Sequence, residues 1–267
     1  MFRLLDTGFN DPFYNMALDE AILEEVAAEY SPPTLRLYGW NPPSISIGYF
    51  QKVFEEIDVE YCRSNGIGLV RRPTGGRAVL HDNELTYSFI VPEVSDHSGK
   101  GVLETYKRIS TGILMGLKLL GVNARWTEKP AKHIKSSICF NSSSWYEITC
   151  EGKKIVGSAQ MRRKGVVLQH GSIIIDLDVD RMFNCFRFET AEAKERSKKI
   201  FLKKATSLNR LLEQKADFEA VKQSIVKGFE KGLNIQFKIG KVSDREFQLA
   251  QRLKREKYSK KEWNFRF

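Results

Sequence analysis

The 267-residue chain is 42% hydrophobic and 28% charged, enough to bury a sizeable core in one α/β domain spanning 1–267. Its 43 Lys and Arg against 33 Asp and Glu leave a formal net charge of +10, which calls for an anionic partner. Met1-Phe2-Arg3-Leu4-Leu5-Asp6 lacks a secretory pattern, and no apolar run reaches the ~18 residues that cross a bilayer, so a cytoplasmic protein with no membrane partner is expected.

In chain order, Asn10-Asp11-Pro12 marks a helix start, Asp11 capping, with Phe13, Met16, Ala17 and Ala21 at helical spacing to about Ala28. Ser31-Pro32-Pro33 ends it. Leu35 to Tyr38 and Ser44 to Ile47 alternate as strands around the turn Asn41-Pro42-Pro43. One helix is expected from Val53 to Ser64, then strands at Ile67–Arg72, Ala78–Asp82 and Leu85–Val91. Val102, Tyr106, Ile109, Ile113, Leu117 and Leu120 form one face of a long helix that stops at Gly121. Glu128 to Ser144 is polar, aperiodic and serine-rich, and reads as a long surface loop.

Trp145–Cys150, Lys154–Gln160, Val166–His170 and Ser172–Asp176 predict an antiparallel meander with turns at Glu151-Gly152-Lys153 and Arg162-Arg163-Lys164-Gly165. The charge-rich Arg187 to Lys204 predicts a solvated helix or connection. Asp217 caps a helix with Phe218, Val221, Ile225 and Phe229 inward. Leu233–Ile239 predicts a strand, and Ser243-Asp244-Arg245-Glu246 a capping box opening the last helix.

Three segments could carry chemistry. In Arg71-Arg72-Pro73-Thr74-Gly75-Gly76-Arg77, adjacent glycines admit backbone N–H groups to a carbonyl or phosphate, and three arginines bring positive charge; a tight hairpin turn with exposed arginines uses the same residues. Cys139 lies in the irregular loop near Lys129, Lys132, His133 and Lys135, whose charge would favour a thiolate, whereas Cys62, Cys150 and Cys185 fall in settings where cysteine acts as a small hydrophobe. Strand alternation puts Lys154, Val156 and Ser158 on one face, where the lysine meets a bound acyl group or, as a hairpin residue, points to water. No CxxC pair occurs, and His81, His97, His133 and His170 lack metal-ligand spacing, so reduced thiols and no metal are expected.

Together with Asn15-Met16-Ala17-Leu18-Asp19-Glu20, Arg36-Leu37-Tyr38-Gly39-Trp40-Asn41-Pro42 and Gln169-His170-Gly171-Ser172, these segments resemble the biotin/lipoate protein ligase family over nearly the whole chain. Ser137-Ile138-Cys139-Phe140, Ser144-Trp145-Tyr146-Glu147 and the terminal Lys257-Tyr258 with Glu262-Trp263-Asn264-Phe265 look like its octanoyltransferases of the LipM type. The resemblance implies an α/β fold with a central, mostly antiparallel mixed sheet flanked by helices. It implies transfer of octanoyl from acyl carrier protein to a lipoyl domain or the glycine-cleavage H protein, without cofactor and by a monomer. By the same resemblance Cys139 is the nucleophile and Lys154 lies in the acyl pocket, while Arg72, Thr74, Gly75, Gly76, Arg77, His81, Gly157, Ser158 and His170 bind substrate. The alternatives are an ATP-dependent lipoate-protein ligase, which needs ATP and Mg and leaves Cys139 incidental, or a transferase of octanoyl or lipoyl between carrier proteins. Basic residues interleave with acidic ones and no nucleic-acid-binding motif appears, so nucleic acid is not an expected partner.

Overall fold

The computed structural model describes residues 1–93, 101–127 and 147–267. β1 (Phe2–Asn10), which hydrophobic patterning did not announce, leads into α1 (Pro12–Ala27). There the Asp11 carboxylate accepts hydrogen bonds from the N–H groups of Phe13 and Tyr14, as expected of a cap. β2 (Thr34–Trp40) and β3 (Ser44–Ile47) follow. The single helix expected over Val53–Ser64 is two, α2 (Val53–Glu56) and α3 (Val59–Ser64), because Asp58 accepts from Tyr61 N–H and caps a new start.

Next come β4 (Gly68–Arg71), β5 (Val79–His81), β6 (Glu84–Pro92), α4 (Val102–Leu119) and β7 (Arg125–Thr127). The predicted meander is present as β8 (Glu147–Cys150), β9 (Lys153–Arg163) and β10 (Val166–Ile174), joined by two-residue turns with positive φ at Glu151-Gly152 and Lys164-Gly165. β10 is one strand where two were expected, since Gly171 stays in the ladder opposite Tyr87. α5 (Val179–Asn184), α6 (Ala191–Lys204), α7 (Phe218–Leu233), β11 (Phe237–Ile239), α8 (Asp244–Leu253) and α9 (Lys261–Asn264) complete the order. The expected strand from Leu233 shrinks to β11 because α7 runs to Leu233 and stops on left-handed Asn234. The capping box at Ser243 and Glu246 is formed.

Eight strands make one sheet in the order β11-β1-β2-β6-β10-β9-β8-β7, in which the β11–β1 and β1–β2 pairs are parallel and the rest antiparallel. The mostly antiparallel mixed sheet flanked by helices is therefore found. Beside it stands a second sheet, β4-β3-β5, that periodicity did not reveal. α4 and α7 cover one face of the large sheet over Tyr87, Phe89, Ile148, Val167 and Ile173. α1 covers part of the other over Tyr38, Ile90 and Leu168, with α8 packed against α1. A third cluster joins the small sheet to α3, α5 and α6 through Ile45, Cys62, Phe183 and Phe201. Cys62, Cys150 and Cys185 are buried free thiols, in keeping with their reading as small hydrophobes. Among the described residues no helix is long and apolar enough to cross a membrane.

Candidate active site

The loop between β4 and β5 carries Arg72, Thr74, Gly75, Gly76 and Arg77. The three arginines of the Arg71–Arg77 motif read either as charge around a ligand or as exposed turn residues, and two of them, Arg71 at the end of β4 and Arg72 in the loop, are instead committed to the fold. Arg71 is fully buried and donates to the carbonyls of Gly48, Tyr49, Gln51, Trp263, Asn264 and Arg266, so it ties the β3–α2 loop to the terminal segment. Trp263 Nε1 donates back to the Arg71 carbonyl, and Asn264 Oδ1 accepts from its N–H. Arg72 donates to Ser46 O and turns the carbonyls of Gly75 and Arg77 inward, each at 2.8 Å from Nη2. Arg77 stays partly exposed and pairs with Glu56.

Gly76 has φ +93°, a conformation that favours glycine, and the outward side of Gly75 is open for 4 Å. The tightest approach involves a glycine outside the Arg71–Arg77 motif. A Cβ on Gly48 would lie 1.8 Å from the Gly76 carbonyl oxygen, so the start of the β3–α2 loop and this loop touch backbone to backbone.

Behind the loop runs a buried polar chain. Arg36, Asp19 and His170 are all buried; Arg36 Nη1 donates to Asp19 Oδ1 at 2.7 Å, and Tyr38 OH to Asp19 Oδ2 at 2.9 Å. His170 Nδ1 lies 3.3 Å from Asp19 Oδ2, and its Nε2 lies 2.7 Å from Thr74 Oγ1. Burial pushes the His170 pKa down despite Asp19 nearby. A neutral ring beside a carboxylate carries its proton on Nδ1, so Nε2 accepts from the Thr74 hydroxyl. Burial alone would raise Asp19; Arg36 and the His170 hydrogen bond outweigh it and hold the carboxyl below its usual range.

A parallel chain serves His81, whose Nε2 lies 2.8 Å from Ser46 Oγ and whose Nδ1 faces Glu84 Oε1 at 3.2 Å. Its ring stacks on Trp40 at 4.1 Å. Because Arg72 also holds Ser46 Oγ, at 3.1 Å, His81 and the glycine loop share one scaffold.

Lys154 is where simple alternation fails. Opposite Ile148 the ladder pairs Val156, but opposite the next residue, Thr149, it pairs Lys154, so β9 carries one extra residue. Ile155 and Val156 both enter the α4–α7 core with Ile148. This β-bulge turns Lys154 over. Its Nζ donates to Glu147 Oε1 at 2.8 Å, on the face that Glu147 and Thr149 share by alternation with Ile148. The expected common face of Lys154, Val156 and Ser158 is thus not formed, and neither is a hairpin lysine in water, since the Lys154 side chain is 5% exposed.

Gly157 pairs with Ser172, two residues from His170, and so belongs with Lys154 and His170. Ser158 does not; its hydroxyl bonds Tyr87 OH at 2.7 Å on the α4–α7 face. Thr74, Gly75, Gly76, Arg72 and His170 are therefore assembled around one loop, His81 is tied to it through Ser46, and Ser158 lies across the sheet. Cys139 and its basic neighbours lie outside the described residues.

Asp19, Arg36 and Tyr38, whose motifs carried the resemblance, were not assigned to the site. The available signal was Asn15 and Asp19 at i, i+4 on a helix otherwise rich in apolar residues, and an arginine between Leu35 and Leu37 in a buried strand.

The profile of the lipoyl protein ligase A/B catalytic domain matches residues 11–230. The chain belongs to that family. Among the relatives of this lipoyl ligase-family chain, octanoyltransferase LipM of Geobacillus kaustophilus is 48% identical over 100% of the chain and 98% of its own length. Octanoyltransferase LipM of Anoxybacillus flavithermus is 47% identical with the same coverage. Among solved structures, a bipartite lipoate protein ligase of Thermoplasma acidophilum, described with its E2 lipoyl domain, superposes with TM-score 0.81 at 28% identity, covering 98% of this chain and 95% of that one.

Proposed function

We propose that this lipoyl ligase-family chain is an octanoyltransferase of lipoate biosynthesis that takes octanoyl from acyl carrier protein onto Cys139 and passes it to a lysine of a lipoyl domain or the glycine-cleavage H protein. Full-length identity to octanoyltransferases supports the activity. The observation that carries the reading in the structure is the bulge that aims a buried lysine at the face holding Thr74 and His170.

The Cys139 thiolate attacks the donor thioester carbonyl, the carrier's C–S bond breaks, and the carrier thiol leaves with a proton. The acceptor amine then attacks the acyl-cysteine, loses a proton and releases the thiolate as the amide forms. Exchange between thioesters costs little and the amide is more stable, so ATP is unnecessary. Negative charge gathers on the carbonyl oxygen in both steps. The Lys154 ammonium and N–H groups at Gly75 and Gly76 are the donors assigned to it, with Arg72, Thr74 and His170 holding the loop in place. Arg77, His81 and Gly157 line the substrate side.

ATP-dependent ligation remains the second reading because the superposed fold is that of a ligase. Purified protein with octanoyl-acyl carrier protein and an apo lipoyl domain, without ATP, should add one octanoyl group to the domain by intact mass. Acylation only from free acid with ATP and Mg would make the protein a ligase. Cys139→Ala should lose both the acyl-enzyme and the transfer, because a methyl group cannot exchange with a thioester.

A further inference from the structure

α6 has an uneven charge pattern. Both its carboxylates, Glu192 and Glu195, lie near its start, and from Arg196 to Lys204 it carries five cations and no acid. Its inner side is fixed by Phe201, fully buried and edge-on to Phe183 at 5.5 Å. Lys194 and Lys198 are used internally, bonding Asn184 and Asp180 of α5. Arg196, Lys199 and Lys203 are exposed, and none forms an ion pair among the described residues.

With Ile200, 38% exposed, those three stand at i, i+3, i+4 and i+7. They form one solvent-facing stripe of three cations around an aliphatic residue. The C-terminal end of α6 runs directly into the strand of Lys154: Ala205 bridges to Lys154, and Thr206 N–H donates to the Lys154 carbonyl at 2.9 Å. A partner laid along the stripe therefore has one end beside the proposed site.

We propose that the Arg196–Lys199–Ile200–Lys203 stripe docks the acyl carrier protein donor through an acidic helix of that carrier. The proposal rests on the transferase reading and names the surface its donor uses. Along the α6 axis the three cations are about 4.5 and 6 Å apart. Carboxylates three and four residues apart on a second helix repeat at these intervals, with an apolar residue between them to cover Ile200. A partner presenting a strand repeats same-face residues about every 6.8 Å and falls out of step with the first pair. The surplus of +10 across the chain draws an acidic carrier in from a distance.

The test is the triple charge reversal Arg196→Glu, Lys199→Glu, Lys203→Glu, with folding checked by circular dichroism; all three side chains are outside the packed core. Binding of fluorescently labelled octanoyl-acyl carrier protein is read by anisotropy, without turnover. Acyl-enzyme formation from octanoyl-pantetheine, an uncharged small thioester, is read by intact mass. The reversal should weaken carrier binding about tenfold or more at low salt and reduce its salt dependence, while leaving the octanoyl-pantetheine reaction unchanged. Carrier binding as tight as in the unmodified protein would overturn the surface, and so would loss of apo lipoyl-domain binding with donor binding kept. Failure of the unmodified protein to acylate from octanoyl-pantetheine would count against the thioester chemistry and leave the binding measurement to decide the surface separately.

Discussion

The hydroxyl of Thr74 is held by a neutral imidazole, and that neutrality makes the protein sensitive to acid. His170 has its pKa lowered by burial in the folded state. The unfolded chain therefore takes up this proton first, and stability is full above about pH 6.5 and falls as pH drops below it. Asp19 is also lowered, so its contribution is lost only in stronger acid, below its ordinary carboxylate range. Melting temperatures of the native protein should decline as pH falls below about 6.5, and His170→Gln should flatten that decline. An unchanged slope would assign the acid sensitivity to another group. At Lys154, substitution by Met keeps an unbranched apolar stem and removes the charge. Its turnover should fall about 10²- to 10³-fold, as for loss of one oxyanion donor, while slow acyl-enzyme formation survives in a single-turnover mass assay. A full acyl-enzyme rate with lost transfer would place the lysine in the second step alone.

Elements whose periodicity or caps are local are legible in the amino-acid sequence itself. Asp11, Asp217 and Ser243 announce three helix starts, and Gly152 and Gly165 the turns of the meander. What stays hidden depends on partners far along the chain. The extra residue in β9 leaves no mark on composition, because Ile155 and Val156 are both ordinary strand residues and only the pairing with Ile148 shows that they share a face. Arg71 reads as a ligand-binding arginine until six carbonyls from two remote segments are placed around it.

Close helix packing is equally silent: a Cβ on Gly228 of α7 would lie 2.3 Å from Gly116 N of α4. Gly228→Ala should therefore cost about 1–3 kcal/mol through overpacking, measured by urea denaturation. Gly48→Ala makes a different prediction, since its added atom collides with the Gly76 carbonyl inside the site. Acyl transfer should fall far more than stability does, and equal losses would show that the contact only supports the fold.

Across the whole molecule the site is stitched from distant stretches of sequence. Asp19 and His170 are 151 residues apart, and His170 and Thr74 are 96 apart. Contacts of such separation close large loops and form slowly, whereas α4 and α7 each rest on local hydrogen bonds and can gain structure earlier. His170 meets both partners only once β10 has docked between β6 and β9 with α1 already in place. During renaturation from urea, helical circular dichroism should therefore recover ahead of octanoyl transfer, with the interval measured by quenching aliquots into a short activity assay. A polypeptide that is still assembling would pass through helical states in which His170 has not reached Thr74, so acylation competence marks the completion of folding.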